Sequence, residues 1–156
     1  MHPTIEQVIE TLKTRSRSMD IDLYNPATTE EIRFFEHIMK IKLPDDFKEF
    51  YRHFNGFMAH ENTFRIIPLG DIIDNDHESY TLHPTDFFFA DYLLYCDMWS
   101  VNISEHDHNT YSLYNKGVDT IILTNSLAEF LSRFIKGDVF NGLYDWHDEI
   151  QRKSEK

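Results

Sequence analysis

The side chains with the greatest chemical capacity in this sequence follow one another at Glu105, His106, Asp107 and His108. Imidazole and carboxylate groups suit zinc or a similar divalent ion, but a metal site needs a third and usually a fourth ligand. Two histidines two residues apart on a loop are loose spacing, and no further ligand is identifiable, so no metal is assigned. His60-Glu61 and His77-Glu78 begin like the helix of a zinc protease and lack its second histidine. Asp74, Asp76 and Glu78 match the first, third and fifth positions of a calcium loop, yet Ser79 stands where glycine belongs and Thr85 where the closing glutamate belongs. The single cysteine, Cys96, falls inside an apolar strand pattern, where a thiol packs as a small hydrophobe and burial raises its pKa. No serine is framed as G-x-S-x-G, and the five glycines never take G-x-G or P-loop spacing. The pairs Asp45-Asp46 and Glu30-Glu31 open predicted helices, where negative charge suits the helix dipole. These patterns assign no catalytic residue and no cofactor, and leave a metalloenzyme built on His106 and His108 as a minor alternative.

Charge is more informative. The chain carries 15 basic and 27 acidic residues, a net charge of -12, so a polyanion would be repelled and nucleic acid is not expected as a direct ligand. Residues 1–65 hold 9 basic and 11 acidic groups and residues 116–156 hold 6 and 7, so both ends are near balance. Between Arg65 and Lys116 there is no lysine or arginine, and nine acids: Asp71, Asp74, Asp76, Glu78, Asp86, Asp91, Asp97, Glu105 and Asp107. Such a block is either a solvated face that keeps the protein soluble or a docking face for a basic partner. Read as a docking face, its expected contacts are Asp71, Asp74, Asp76, Glu78, Glu105 and Asp107.

The elements that would carry these residues are written in capping and periodicity. Thr4 with Gln7, Thr28 with Glu31 and Ser126 with Glu129 have capping-box spacing, each ahead of apolar residues at helical intervals. Leu43-Pro44 starts another helix with proline at its first position, its stripe Phe47, Phe50, Tyr51 and Phe54 reads as core, and Asn55-Gly56 stops it. Phe64 to Leu69, with Pro68 near its end, reads as an edge or terminating strand. Tyr92 to Ile103 alternates as the longest strand, with Trp99 buried. Strands 110–114 and 118–123 flank the link Asn115-Lys116-Gly117 as a hairpin, and Leu143 to Ile150 is a short terminal helix. Residues 77–79 and 104–109 are expected as exposed loops.

Helices, then strands, then a helix describe an α+β fold, with N-terminal helices and a C-terminal helix packed on a mainly antiparallel sheet. A length of 156 residues with 41% hydrophobic and 15% aromatic positions suits one domain spanning 1–156. Met1 to Glu10 has no apolar signal core, no apolar stretch is long enough to span a membrane, and one cysteine implies a fold without disulfides. A cytoplasmic location and no membrane partner are expected. The sequon Asn102-Ile103-Ser104 then reads as a chance match.

The segment Leu43-Pro44-Asp45-Asp46-Phe47-Lys48-Glu49-Phe50-Tyr51-Arg52-His53-Phe54-Asn55-Gly56, preceded by Ile32 to Glu36, resembles the SUKH superfamily. Phe89-Ala90-Asp91-Tyr92 is similar to the start of that superfamily's central strand, and Ser126-Leu127-Ala128-Glu129-Phe130-Leu131 to its closing helix motif. The three lie in the right order across residues 28 to 136. Phe57 replaces a commonly found second glycine, and the acidic middle is poorly matched, so no partner surface is carried over there. The resemblance implies an α+β fold without a catalytic set, used in bacteria mainly as cytoplasmic immunity proteins against polymorphic toxins, often nucleases, and in fungi as regulators linked to cell-wall synthesis. Combined with the charge block, it predicts an immunity protein that neutralises a basic, nuclease-type toxin. The alternative is a non-catalytic regulatory scaffold for a signalling or cell-wall synthesis protein.

Overall fold

The structure is a computed structural model describing residues 2–155. Its centre is a seven-stranded antiparallel sheet in which every strand pairs with its neighbour in sequence, in the order β1 (Ile21–Leu23), β2 (Phe57–Ala59), β3 (Phe64–Ile66), β4 (Phe87–Tyr92), β5 (Asp97–Ile103), β6 (Tyr111–Asn115) and β7 (Ile121–Thr124). The helices are α1 (Ile5–Arg15), α2 (Thr29–Met39), α3 (Asp45–His53), the short α4 (Leu69–Asp74), α5 (Leu127–Gly137) and α6 (Asp145–Ser154). A 3-10 turn covers Glu78–Tyr80, and a wide helical segment, Asp138–Tyr144, joins α5 to α6. The expected α+β architecture holds.

Capping fixes where the first two helices begin. Thr4 Oγ1 accepts from the Gln7 N–H at 3.2 Å while Gln7 Oε1 accepts from the Thr4 N–H at 2.9 Å, and Thr28 with Glu31 repeats the arrangement at 3.0 Å both ways. Ser126 caps α5 through the Glu129 N–H at 3.1 Å, but the Glu129 carboxylate turns to the Thr124 hydroxyl, so only half of the predicted box forms. The apolar stripes of α3 and α5 face the sheet, and α1 packs against both of these helices. Phe47 meets Phe89 edge-on at 5.5 Å, Phe64 stacks on Phe134 at 4.1 Å, and Trp99 meets Phe130 at 6.0 Å.

Several boundaries differ from expectation. Pro44 is the N-cap of α3, one residue before the helix proper, and α3 ends at His53 rather than at Asn55-Gly56. Those two residues have other work. The Asn55 side chain accepts from the Leu69 N–H at 2.9 Å, and Gly56 takes a φ of +90° where any Cβ would strike the Ile66 carbonyl oxygen. Strand β3 lies between β2 and β4 and is not an edge; Pro68 falls beyond it as the N-cap of α4. The predicted single strand 92–103 is broken at residues 93–96, where a turn joins β4 to β5, and Cys96 sits exposed on that turn instead of inside a strand. The β6–β7 link runs over residues 116–120, longer than predicted.

A bulge in β4 between Phe88 and Ala90 decides which side chains face away from the core. It turns Phe87, Phe89 and Ala90 toward the helices and leaves Phe88 and Asp91 on the opposite face. On that face Asp22, Met58, Arg65, Asp91 and Met98 stand directly opposite one another across five strands. The chain from α4 to Asp86 is tied to the same face. Tyr114 Oη accepts from the Leu82 N–H at 2.9 Å and donates to Asp86, and Ser100 Oγ donates to the Tyr80 carbonyl at 3.3 Å. No helix among the described residues is long and apolar enough to cross a membrane.

Candidate functional site

Four of the six candidate acids lie together on the segment covering the outer sheet face. Asp71 and Asp74 are on α4, Asp76 follows it, and Glu78 opens the 3-10 turn; all four are exposed. Their placement follows from local sequence. Leu69 and Ile72 are buried, which leaves Asp71 and Asp74 on the solvent side of α4. Asn75 Nδ2 donates to the Asp71 carbonyl at 2.7 Å, and the Glu78 N–H donates to Asp76 Oδ1 at 3.1 Å. His77 bolts the segment down: its Nε2 lies 2.7 Å from the Ile72 carbonyl, and its Nδ1 accepts from the Phe88 N–H at 3.1 Å. That pair of bonds requires a neutral ring protonated on Nε2, and burial lowers the pKa to match.

Glu105 and Asp107 lie elsewhere, on the loop between β5 and β6. The Asp107 carboxylate accepts from the Asn109 N–H at 3.0 Å and the Thr110 hydroxyl at 2.9 Å, which holds its pKa below the usual carboxylate value. Glu105 lines a concavity of about 760 Å³ between the end of α2 and this loop, shared with His37, Lys40, Lys42, His106 and His108. Asp76 and Glu78 line a second concavity, of about 460 Å³. The two abut, because Met39 and Pro84 line the acidic one while the next residues, Lys40 and Thr85, line the mixed one. Lys40 and Lys42, which follow α2, therefore share the concavity with Glu105, and the six acids form a group of four and an outlying pair.

The His loop has a structural use. His108 Nε2 is 3.2 Å from Asp45 Oδ1, and Asn109 Nδ2 donates to the same carboxylate at 3.1 Å. The Asn109 and His108 hydrogen bonds together depress the Asp45 pKa. Among the described residues, no three His, Cys, Asp or Glu side chains are grouped so that they could hold a metal ion.

Of the three other acids of the block, Asp86 and Asp91 are buried and Asp97 is half-buried. Asp91 is fully buried and receives Arg65 Nε at 3.0 Å and Nη2 at 2.8 Å. Asp86 is buried, accepting from Tyr114 and from Asn102 Nδ2 at 2.8 Å, which also occupies the sequon amide. Asp97 accepts from Tyr144 and, at 2.9 Å, from Asn115 Nδ2. Counting charges cannot separate these from surface acids; their apolar flanks, Asp86 before three phenylalanines above all, are the available signal.

Sequence reasoning missed the β4–β5 turn. Leu93, Leu94 and Tyr95 have φ of 53°, 49° and 72°, three consecutive non-glycine residues in the left-handed region. They are 46%, 56% and 40% exposed. The Leu93 N–H donates to the Thr63 carbonyl at 2.9 Å and the Tyr95 N–H to Asp91 Oδ2 at 3.1 Å. The Arg65 guanidinium lies 5.0 Å from the centre of the Tyr95 ring, with Nη1 3.8 Å from Asp71. Asn75 Nδ2 reaches Tyr95 Oη at 3.3 Å, so the turn and the acidic segment are one surface.

Comparison with protein families gives a match to the SMI1 / KNR4 family (SUKH-1) over residues 26–133. No curated protein matches the chain.

Proposed function

The chain belongs to the SMI1 / KNR4 family (SUKH-1), and from that premise we propose that it is a bacterial, cytoplasmic, single-domain immunity protein that binds and neutralises a basic, nuclease-type toxin. The family supports an immunity or regulatory protein; its members are generally non-catalytic. The narrower reading is carried by one observation, the exposed run Asp71, Asp74, Asp76 and Glu78 with no lysine or arginine in the sequence from residue 66 to 115. A nuclease presents a basic cleft to phosphates, and a carboxylate surface can occupy that cleft by charge complementarity and steered association. In this reading Asp71, Asp74, Asp76 and Glu78 supply most of the charge contacts with the partner, and Glu105 and Asp107 supply outlying ones.

The test is a calorimetric titration of the full chain with the toxin domain encoded by the neighbouring gene, together with a nuclease assay at increasing ratios of the two proteins. One-to-one binding at low salt with stoichiometric loss of nuclease activity is expected. Absence of binding at low salt overturns the toxin reading and leaves the regulatory role of the family.

A further inference from the structure

We propose that the left-handed turn Leu93-Leu94-Tyr95 is the apolar anchor of the partner interface, seated in a partner pocket whose rim carries lysine and arginine. The inference rests on the immunity reading above and says where the binding energy resides. Carboxylates at a solvated surface give steering and register, while affinity comes from apolar and aromatic side chains that become fully desolvated at the centre of a contact. The acidic segment supplies the first. The turn supplies the second and lies beside it, since Tyr95 touches both Asn75 and the guanidinium that faces Asp71.

Two further features fit an anchor. Half-exposed leucines at a loop tip gain little for the isolated protein, yet the sequence holds them in a conformation that disfavours any residue with a Cβ. The Thr63 and Asp91 bonds and the guanidinium stack over-determine the turn, so its shape exists before the partner arrives and little ordering entropy is lost on docking. The apolar surface also continues beyond the turn, because Tyr92 packs against exposed Phe140 at 5.7 Å. A protruding apolar tip beside an acidic run complements a basic protein surface with a central hollow. A membrane surface of anionic lipid, the other acceptor of apolar tips, would be repelled by the same carboxylates.

The test replaces the anchor without disturbing the turn. Asparagine tolerates the left-handed region, so Leu93→Asn/Leu94→Asn keeps the backbone while removing both apolar side chains. In calorimetry against the toxin domain encoded by the neighbouring gene, the double variant is expected to bind about thirtyfold more weakly, with the salt dependence of the wild-type protein and an unchanged thermal midpoint. The paired variant Asp74→Asn/Asp76→Asn is expected to lose salt dependence instead. Retention of wild-type affinity by the leucine variant, with the toxin still bound, overturns the anchor and spares the immunity reading. Failure of the wild-type protein to bind overturns both.

Discussion

Arg65 and Asp91 face each other across β3 and β4 as a bidentate pair, with Arg65 8% exposed and Asp91 fully buried. One carboxylate oxygen also accepts the Tyr95 N–H, so this pair joins the sheet to the turn that presents Leu93 and Leu94. The Asp91 hydrogen bonds raise the Arg65 pKa further above its ordinary value, and the guanidinium stays charged at every working pH.

Removing Asp91 leaves the buried Arg65 charge with only the longer Asp71 contact and the Tyr95 ring, close to the costly case for an internal ion pair. Asp91→Ala is therefore expected to destabilise the fold by about 3–5 kcal/mol, read as a lower urea midpoint. Replacing both residues with apolar ones, as Arg65→Met/Asp91→Leu, should recover most of that loss while releasing the Tyr95 N–H. Equal stability of the single and double variants would mean that the pair is not coupled.

A second buried contact predicts the response to acid. Trp99 Nε1 donates to His147 Nε2 at 3.1 Å, which requires a neutral imidazole, and burial depresses the His147 pKa. His77 is depressed for the same reason. The unfolded chain then binds protons that the folded chain refuses, so stability is complete above the unfolded histidine value near 6.5 and falls as pH drops below it. Each ring contributes at most about 1.4 kcal/mol per pH unit in that window. Urea unfolding at pH 7.5 and 5.5 should show the loss, and His147→Gln, whose amide oxygen can still accept from Trp99, should reduce it. An equal loss in that variant would assign the acid sensitivity to other groups.

What the sequence disclosed was whatever is encoded locally. The boxes at Thr4 and Thr28 are complete within four residues each, and the stripe of α3 repeats at helical spacing, so helix starts and core faces were legible. The β4–β5 turn was not. Leu93-Leu94-Tyr95 holds no glycine, proline or asparagine, and its left-handed course depends on Thr63, Arg65 and Asp91. The candidate acids divided along the same line. Asp71, Asp74, Asp76 and Glu78 are near in sequence and near in space, whereas Glu105 shares a concavity with Lys40 and Lys42, which follow α2 more than sixty residues earlier. A one-dimensional charge count registers the first relationship and misses the second.

Gly56 supplies a prediction on stability alone. Its φ of +90° is strained for any other residue, and a Cβ there would lie well inside 3.0 Å of the Ile66 carbonyl oxygen, which belongs to the backbone and cannot rotate away. Gly56→Ala should cost about 2 kcal/mol or more, seen as a fall in the thermal midpoint, while Gly70→Ala, where the new methyl group meets nothing within 4 Å, should be close to neutral. Comparable midpoints for the two variants would deny the close approach of β2 and β3 at that point.

If the proposed toxin is the partner, the carboxylates of the α4 segment should act on the rate of association. Charges at the rim of an interface steer diffusion and change on-rates more than off-rates, with a dependence on ionic strength that follows the charge removed. Neutralising Asp71, Asp74, Asp76 and Glu78 together to the corresponding amides is expected to slow stopped-flow association with the neighbouring toxin domain by about tenfold or more at low salt, and to flatten its salt dependence. Neutralising Glu105 and Asp107 should do less, because Lys40 and Lys42 share the Glu105 concavity and the Asp107 carboxylate is committed to its own loop. A larger effect from that outlying pair would move the docking face to the β5–β6 loop and the end of α2. An on-rate indifferent to both sets would remove steering from the account and leave apolar contact as the whole of the recognition.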